Sequence, residues 1–192
     1  APVYLEDPQG ILSLNLSAFS ALEGAAAGVL AAVIYGQRKG LPLWPTLDAL
    51  TAGAALFSVF FALSHLASGD AFGSPADIPW GIELWGARRH PSQLYELLTS
   101  LAILLVVIRL QDRRAFAGEL ALGWLSLASA SRLVLEAFRG DSLYLVGLRQ
   151  AQLLALLVLM LSLAGLHLLA RRRADAEPMR ATGFPLESPS AS

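Results

Sequence analysis

Arg89-His90-Pro91-Ser92-Gln93-Leu94-Tyr95-Glu96 runs without a break into Leu97-Leu98-Thr99-Ser100-Leu101-Ala102-Ile103-Leu104-Leu105-Val106-Val107-Ile108-Arg109-Leu110. Ionisable and hydrogen-bonding side chains therefore crowd the lip of an apolar segment, where they are costly and mark a functional position by default. The composition agrees, with 55% hydrophobic and 15% charged residues and a mean hydropathy of +0.56. Such a chain belongs in a bilayer. A formal net charge of -1 gives no global basic surface, so nucleic acid is not an expected partner. The absence of cysteine excludes a disulfide, a thiolate metal site and a cysteine nucleophile, so any thiol chemistry must use a substrate's sulfur. No metal or cofactor is expected.

Runs long enough to cross a hydrocarbon core of about 30 Å, which takes about 20 helical residues, lie at 11–35, 46–67, 94–110, 119–138 and 150–170. The predicted fold is all-α, a polytopic membrane helical bundle of about five transmembrane helices. Its parts are an outer segment 1–10, a membrane domain 11–170 and a tail 171–192, rich in Pro, Ser and charge and expected to be disordered in the cytoplasm. Residues 1–10 are polar and carry no signal-peptide pattern, and further sequence is expected upstream. The third run is short, and the fourth carries Arg132 and Glu136, so both rely on tilt and on protein-lined surroundings.

Arg38 and Lys39 follow the first run, Arg109, Arg113 and Arg114 the third, and Arg171, Arg172 and Arg173 the fifth. By the positive-inside rule this side is cytoplasmic, which leaves the N-terminus and the loops 68–90 and 139–149 outside. Arg88, Arg89, Arg139 and Arg149 then lie on the outer side and need a reason of their own.

Pro tolerates the first helical position, so His90-Pro91 reads as a helix start that puts Ser92, Gln93 and Glu96 in the opening turns, Gln93 and Glu96 on one face. Glu96 also sits near the positive end of the helix dipole. In the fourth run Arg132, Glu136 and Arg139 fall at i, i+4 and i+7, one stripe of alternating charge. A charge at the centre of a membrane helix costs about 2.5–3.5 kcal/mol on insertion scales, so the stripe should face the protein interior or water. Arg132, Arg139, Arg89, His90, Tyr95 and Glu96 are expected to line one outward cavity, and guanidinium groups there suit an anionic phospholipid headgroup. In the first run, Gly24 and Gly28 suit close helix packing, while Glu23 is a lone carboxylate that needs a partner or water.

The strings 89–96 and Arg132-Leu133-Val134-Leu135-Glu136-Ala137-Phe138-Arg139 resemble the two C-terminal signatures of bacterial prolipoprotein diacylglyceryl transferases. Gly73-Ser74-Pro75-Ala76-Asp77-Ile78-Pro79-Trp80-Gly81, and Gly40-Leu41-Pro42 with Asp48, are similar to further family segments, and the likeness runs from about Pro8 to Ala170. It implies a multi-pass enzyme of the bacterial inner membrane, N-terminus outside and C-terminus cytoplasmic. Such an enzyme moves diacylglyceryl from phosphatidylglycerol to the lipobox cysteine thiol of a preprolipoprotein and releases glycerol phosphate. Arg132 and Arg139 would hold the headgroup, with Glu136, Arg89, His90, Gln93, Tyr95 and Glu96 shaping the substrate site.

The resemblance is incomplete. Leu22-Glu23-Gly24 stands where the family has a histidine before paired glycines, and Ala62 and His65 stand where it has an arginine and an asparagine. Ala128 replaces a tyrosine, and two family helices that precede the segment 11–35 have no counterpart here. If the family histidine is the thiol's base, its loss removes about 10²–10⁴ in rate unless Glu23 or His65 substitutes. The alternative is a catalytically impaired homologue that binds anionic lipid without turning it over. A small transporter is the third reading, weakened by the lack of a broken mid-membrane helix.

Overall fold

A computed structural model describes residues 21–140, 144–145 and 148–181, with side chains for 24–140 and 149–175. The chain divides into two compact units, Ala1–Leu43 and Trp44–Ser192. The first contains α1 (Ala21–Arg38), closed by Gly40 at φ +63° with the Leu41 N–H donating to the Gly36 carbonyl at 2.9 Å. A glycine just past the last turn reaches this left-handed geometry without a Cβ clash. The segment 11–20, the first part of the first predicted span 11–35, lies outside the described residues.

The second unit is built from α2 (Leu43–Ser68), α3 (Ser92–Leu110), α4 (Glu119–Leu135, continued by a 3-10 turn Glu136–Phe138) and α5 (Gln150–Ala181). All four are long and apolar enough to cross a membrane. Their packing is inverted relative to a water-soluble domain. Phe57, Phe60, Leu105, Leu154 and Met160 face outward, while Asp48, Thr51, Gln93, Ser126, Ser129, Glu136 and Ser162 are buried. With lipid as solvent, apolar side chains gain nothing by hiding, and polar groups must find partners inside. The apolar core is small, formed by Ala55, Val107 and Leu120 with Trp124 packed against them. Between α4 and α5 the hydroxyls of Ser126 and Ser162 meet at 2.8 Å, and Gly165 leaves room for Leu122, the close approach small residues allow.

Side-chain and backbone bonds pair the helix ends. Asp48, near the start of α2, accepts from the N–H groups of Gly118 (2.7 Å) and Ala121 (3.0 Å), so a buried carboxylate caps α4. Four orphan N–H groups and the positive end of the helix dipole make that position favourable for an anion. Gly118 serves as the cap at φ +95°, and a Cβ there would meet Trp44 at 2.7 Å. Arg173 of α5 also reaches this end, donating to the Ala115 carbonyl. At the other end, the stop of α2, the start of α3 and the stop of α4 meet.

That second end is covered by the 69–91 loop, which contains an antiparallel hairpin, β1 (Ile82–Leu84) with β2 (Ala87–Arg89). A second short pair, β3 (Tyr144–Leu145) with β4 (Leu148–Arg149), precedes α5. Three boundaries differ from the sequence expectation. The second helix starts at Leu43, ahead of Thr46, because Pro45 is tolerated in a first turn. Pro91 is the N-cap of α3, and the helix begins at Ser92. Beyond the apolar limit at 170, α5 continues to Ala181, into the stretch expected to be disordered. Arg, Ala and Glu over 171–177 are good helix formers and extend a helix already nucleated by the apolar run, whereas nothing in the composition favours its passage through Pro178. Residues 182–192 of the predicted tail lie outside the described residues.

Candidate active site

At the loop-covered end a cavity of about 170 Å³ opens between α2, α3 and α4. Its polar wall is Ser92, Glu96 and Ser100 from α3, with Ser131, Arg132 and Arg139 from the end of α4. Its apolar wall includes Phe57, Phe61, Ile103 and Trp124. A pocket that is charged at one side and greasy at the other suits an amphiphile.

The predicted charge stripe is one ion cluster. Glu136, only 2% exposed, places Oε2 at 3.1 Å from Arg132 Nη2 and 3.8 Å from Arg139 Nε. One buried carboxylate thus lies between two guanidinium groups on the cavity wall. Guanidinium groups bordering a cavity suit an anionic ligand.

Glu96 lies on the same wall, and its Oε2 is 2.9 Å from Nδ1 of His65 on α2. With Glu96 as carboxylate and a neutral imidazole, that contact would put the ring proton on Nδ1 and leave the Nε2 lone pair as an acceptor; His65 itself is not among the residues that line the cavity. Phe61, a cavity residue one turn earlier, packs edge-on against the His65 ring at 4.4 Å between centroids and restricts its rotation.

Of the residues expected to line the cavity, Arg89, His90 and Tyr95 are not on its wall, nor is Gln93; their contacts are with the surrounding loop and helix ends. Arg89 donates from Nε to the Leu84 carbonyl (3.0 Å) and from Nη1 to the Gly73 carbonyl (3.2 Å), and its guanidinium lies 5.0 Å from the Phe72 ring. His90 and Tyr95 pack on Phe138 at 5.2 and 5.9 Å, and the Tyr95 hydroxyl accepts from Trp80 Nε1 at 2.7 Å. His90 Nδ1 and Gln93 Oε1 are buried without a partner among the described residues, which makes them places for an ordered water or a ligand hydroxyl. Glu23 belongs to α1, and its side chain lies outside the described residues.

Backbone contacts lock the cavity mouth. Gly73 bridges Arg139, Ser74 donates to the Phe138 carbonyl (2.8 Å), Gly140 to the Phe72 carbonyl (2.9 Å) and His90 to the Ser74 carbonyl (3.1 Å). A Cβ on Gly73 would lie 2.1 Å from the His90 carbonyl oxygen, so only glycine fits. Ser92, which donates to the Ala71 carbonyl at 2.6 Å, ties the same loop to α3.

The family model for prolipoprotein diacylglyceryl transferase matches residues 3–168. The chain belongs to that family. Among relatives named phosphatidylglycerol–prolipoprotein diacylglyceryl transferase, the one from Clostridioides difficile (strain 630) is 30% identical over 134 residues, 70% of this chain and 54% of the relative. The Wolinella succinogenes protein is 33% identical over 139 residues, 69% and 51% of the two chains. The Trichormus variabilis protein is 30% identical over 186 residues, 88% and 66%. The chain thus spans between about half and two thirds of the length of these transferases. Against the diacylglyceryl transferase pattern, Ala62 is wholly buried where the resemblance expects an arginine, three residues before the His65 that pairs with Glu96.

Sequence reasoning missed Ser100, Ser131 and Trp124 as cavity residues. Ser92, Glu96 and Ser100 recur every fourth residue, a polar stripe along an apolar helix that was visible in the sequence. Trp124 carried no such signal.

Proposed function

We propose that this chain transfers the diacylglyceryl group of phosphatidylglycerol to the lipobox cysteine thiol of a preprolipoprotein, at the outer leaflet of a bacterial inner membrane. The observation that carries the reading is the pair of guanidinium groups beside buried Glu136 on the polar wall of a cavity whose other side is apolar. A lipid phosphodiester suits the guanidinium groups, and its acyl chains suit the Phe57, Phe61 and Trp124 side. In the reaction the acceptor S–H proton passes to His65 Nε2, and sulfur forms a bond to the glyceryl carbon that carries the phosphate ester. The C–O bond breaks, and glycerol phosphate leaves with the electron pair on oxygen, its charge stabilised by Arg132 and Arg139. Glu96 holds His65 in the productive tautomer. Glu23 is the other proposed replacement base.

Mass spectrometry of a lipobox-cysteine peptide incubated with the protein and phosphatidylglycerol vesicles tests this. The diacylglyceryl adduct is expected, and His65→Ala should slow its formation about 10²–10⁴-fold while lipid binding persists. If Glu23→Gln has that effect and His65→Ala does not, Glu23 is the base. The second reading, a lipid-binding homologue without turnover, is favoured by Ala62, since one cation expected from the resemblance is replaced by a buried methyl group. Lipid binding without an adduct is its signature.

A further inference from the structure

The β1–β2 hairpin carries features that neither the ion cluster nor the proton acceptor uses. Its turn places Trp85 at φ +54° and Gly86 at φ +72°, the two successive positive angles of a type I′ turn. Asn, Asp or Gly is favoured at the first of these positions, and a bulky side chain there is strained. Nothing in the turn asks for tryptophan, yet the indole is 67% exposed. Trp80, just before β1, is 62% exposed, and Ile82 between them is also exposed.

Both indoles are held by their polar edge. Trp85 Nε1 donates to the Gly69 carbonyl at the end of α2 (3.3 Å), and Trp80 Nε1 donates to the Tyr95 hydroxyl in the first turn of α3 (2.7 Å). The ends of two membrane-spanning helices lie where hydrocarbon gives way to headgroups. Indoles fastened at that level, N–H satisfied and apolar faces outward, match the chemistry of the interface. Around them sit the charged groups Arg88, Asp77 and Glu83, which stay in water; Arg88 Nη1 is 3.7 Å from the exposed Asp77 carboxylate.

We infer that the hairpin is an interfacial anchor, with Trp80 and Trp85 seated in the headgroup boundary of the bilayer so that they fix the depth of the cavity mouth. The mechanical link is short. Arg89 of β2 is bonded to the Gly73 carbonyl, and Gly73 is bridged to Arg139 on the cavity wall. Moving the hairpin along the membrane normal therefore moves the mouth with it.

Two measurements test the anchor. The protein and its Trp80→Phe/Trp85→Phe variant are reconstituted in vesicles whose lipids carry bromine high on the acyl chains, and the difference in emission isolates the hairpin indoles. Strong quenching of that component by bromine, with weak quenching by aqueous acrylamide, is expected; the reverse pattern overturns the anchor. Protection from acrylamide that needs added lipobox peptide overturns it too, and assigns the surface to the acceptor. Trp85→Asn installs a residue the turn prefers, so it keeps the hairpin while removing the indole. Bromine quenching of Trp80, taken as the difference in emission between this variant and the double variant, should then fall at least twofold, and any transfer activity should drop several-fold in vesicles but not in detergent micelles, which impose no depth. Equal loss in both media, or unchanged quenching, contradicts the proposal. The quenching arm reads the anchor even if no transfer is detected, so its failure and that of the transferase reading remain separate.

Discussion

The two ends of the Trp44–Ser192 unit solve the same problem, how to stop helices in a membrane, in opposite ways. At one end a single carboxylate does most of it: Asp48 is buried, accepts from two N–H groups of α4 and leaves no charge exposed to a ligand. At the other end several loop segments cross one another through Gly73 and Gly140, and Arg132 and Arg139 of the ion cluster line a cavity. At the closed end the Asp48 carboxylate is used up in capping a helix, whereas at the open end the guanidinium groups border open space. A charged group on a cavity wall is placed for a ligand, whereas a carboxylate that caps a helix holds helices together.

Breaking the open end at its backbone should do the most damage. Gly73→Ala puts a methyl group into the His90 carbonyl, and we expect about 3 kcal/mol or more lost in thermal unfolding together with loss of transfer. A smaller and more selective effect is expected from Arg132→Ala, with transfer down about 10²–10³-fold and a lesser loss of stability in detergent, because buried Glu136 keeps Arg139 at 3.8 Å. At the closed end the pattern should invert. Asp48→Ala strands two buried N–H groups and should cost about 2–3 kcal/mol of stability, with transfer falling only as the folded fraction falls. Smallest of all, Ser126→Ala leaves Ser162 its bond to the Leu159 carbonyl (3.0 Å) and should cost about 1 kcal/mol or less, with no change in transfer. If Asp48→Ala instead abolished turnover in protein that remained fully folded, the division of labour between the ends would be wrong.

Local patterns carried the legible part of this protein. Of the five runs expected to span, four are helices long and apolar enough to cross a membrane among the described residues, and the spacing of Arg132, Glu136 and Arg139 identified one ion cluster, because run length and spacing are both properties of a single helix. Contacts across the fold were not legible. His65 and Glu96 are 31 residues apart and on different helices, so the sequence offered His65 as a lone histidine and Glu96 as a helix-start carboxylate. Arg89 read as a ligand group because its charge is visible in the sequence and the carbonyls it bonds are not. Asp48 stood out only as part of a family-like segment, and its role as the cap of α4 depends on a contact 70 residues away.

The most direct test of the central claim is mass spectrometry of a lipobox-cysteine peptide after incubation with phosphatidylglycerol vesicles and either the unaltered protein or Arg132→Ala. The account predicts a diacylglyceryl adduct with the unaltered protein, reduced about 10²–10³-fold in the variant. An adduct formed equally well by folded Arg132→Ala would contradict it, because the guanidinium group beside Glu136 on the cavity wall would then have no part in the reaction.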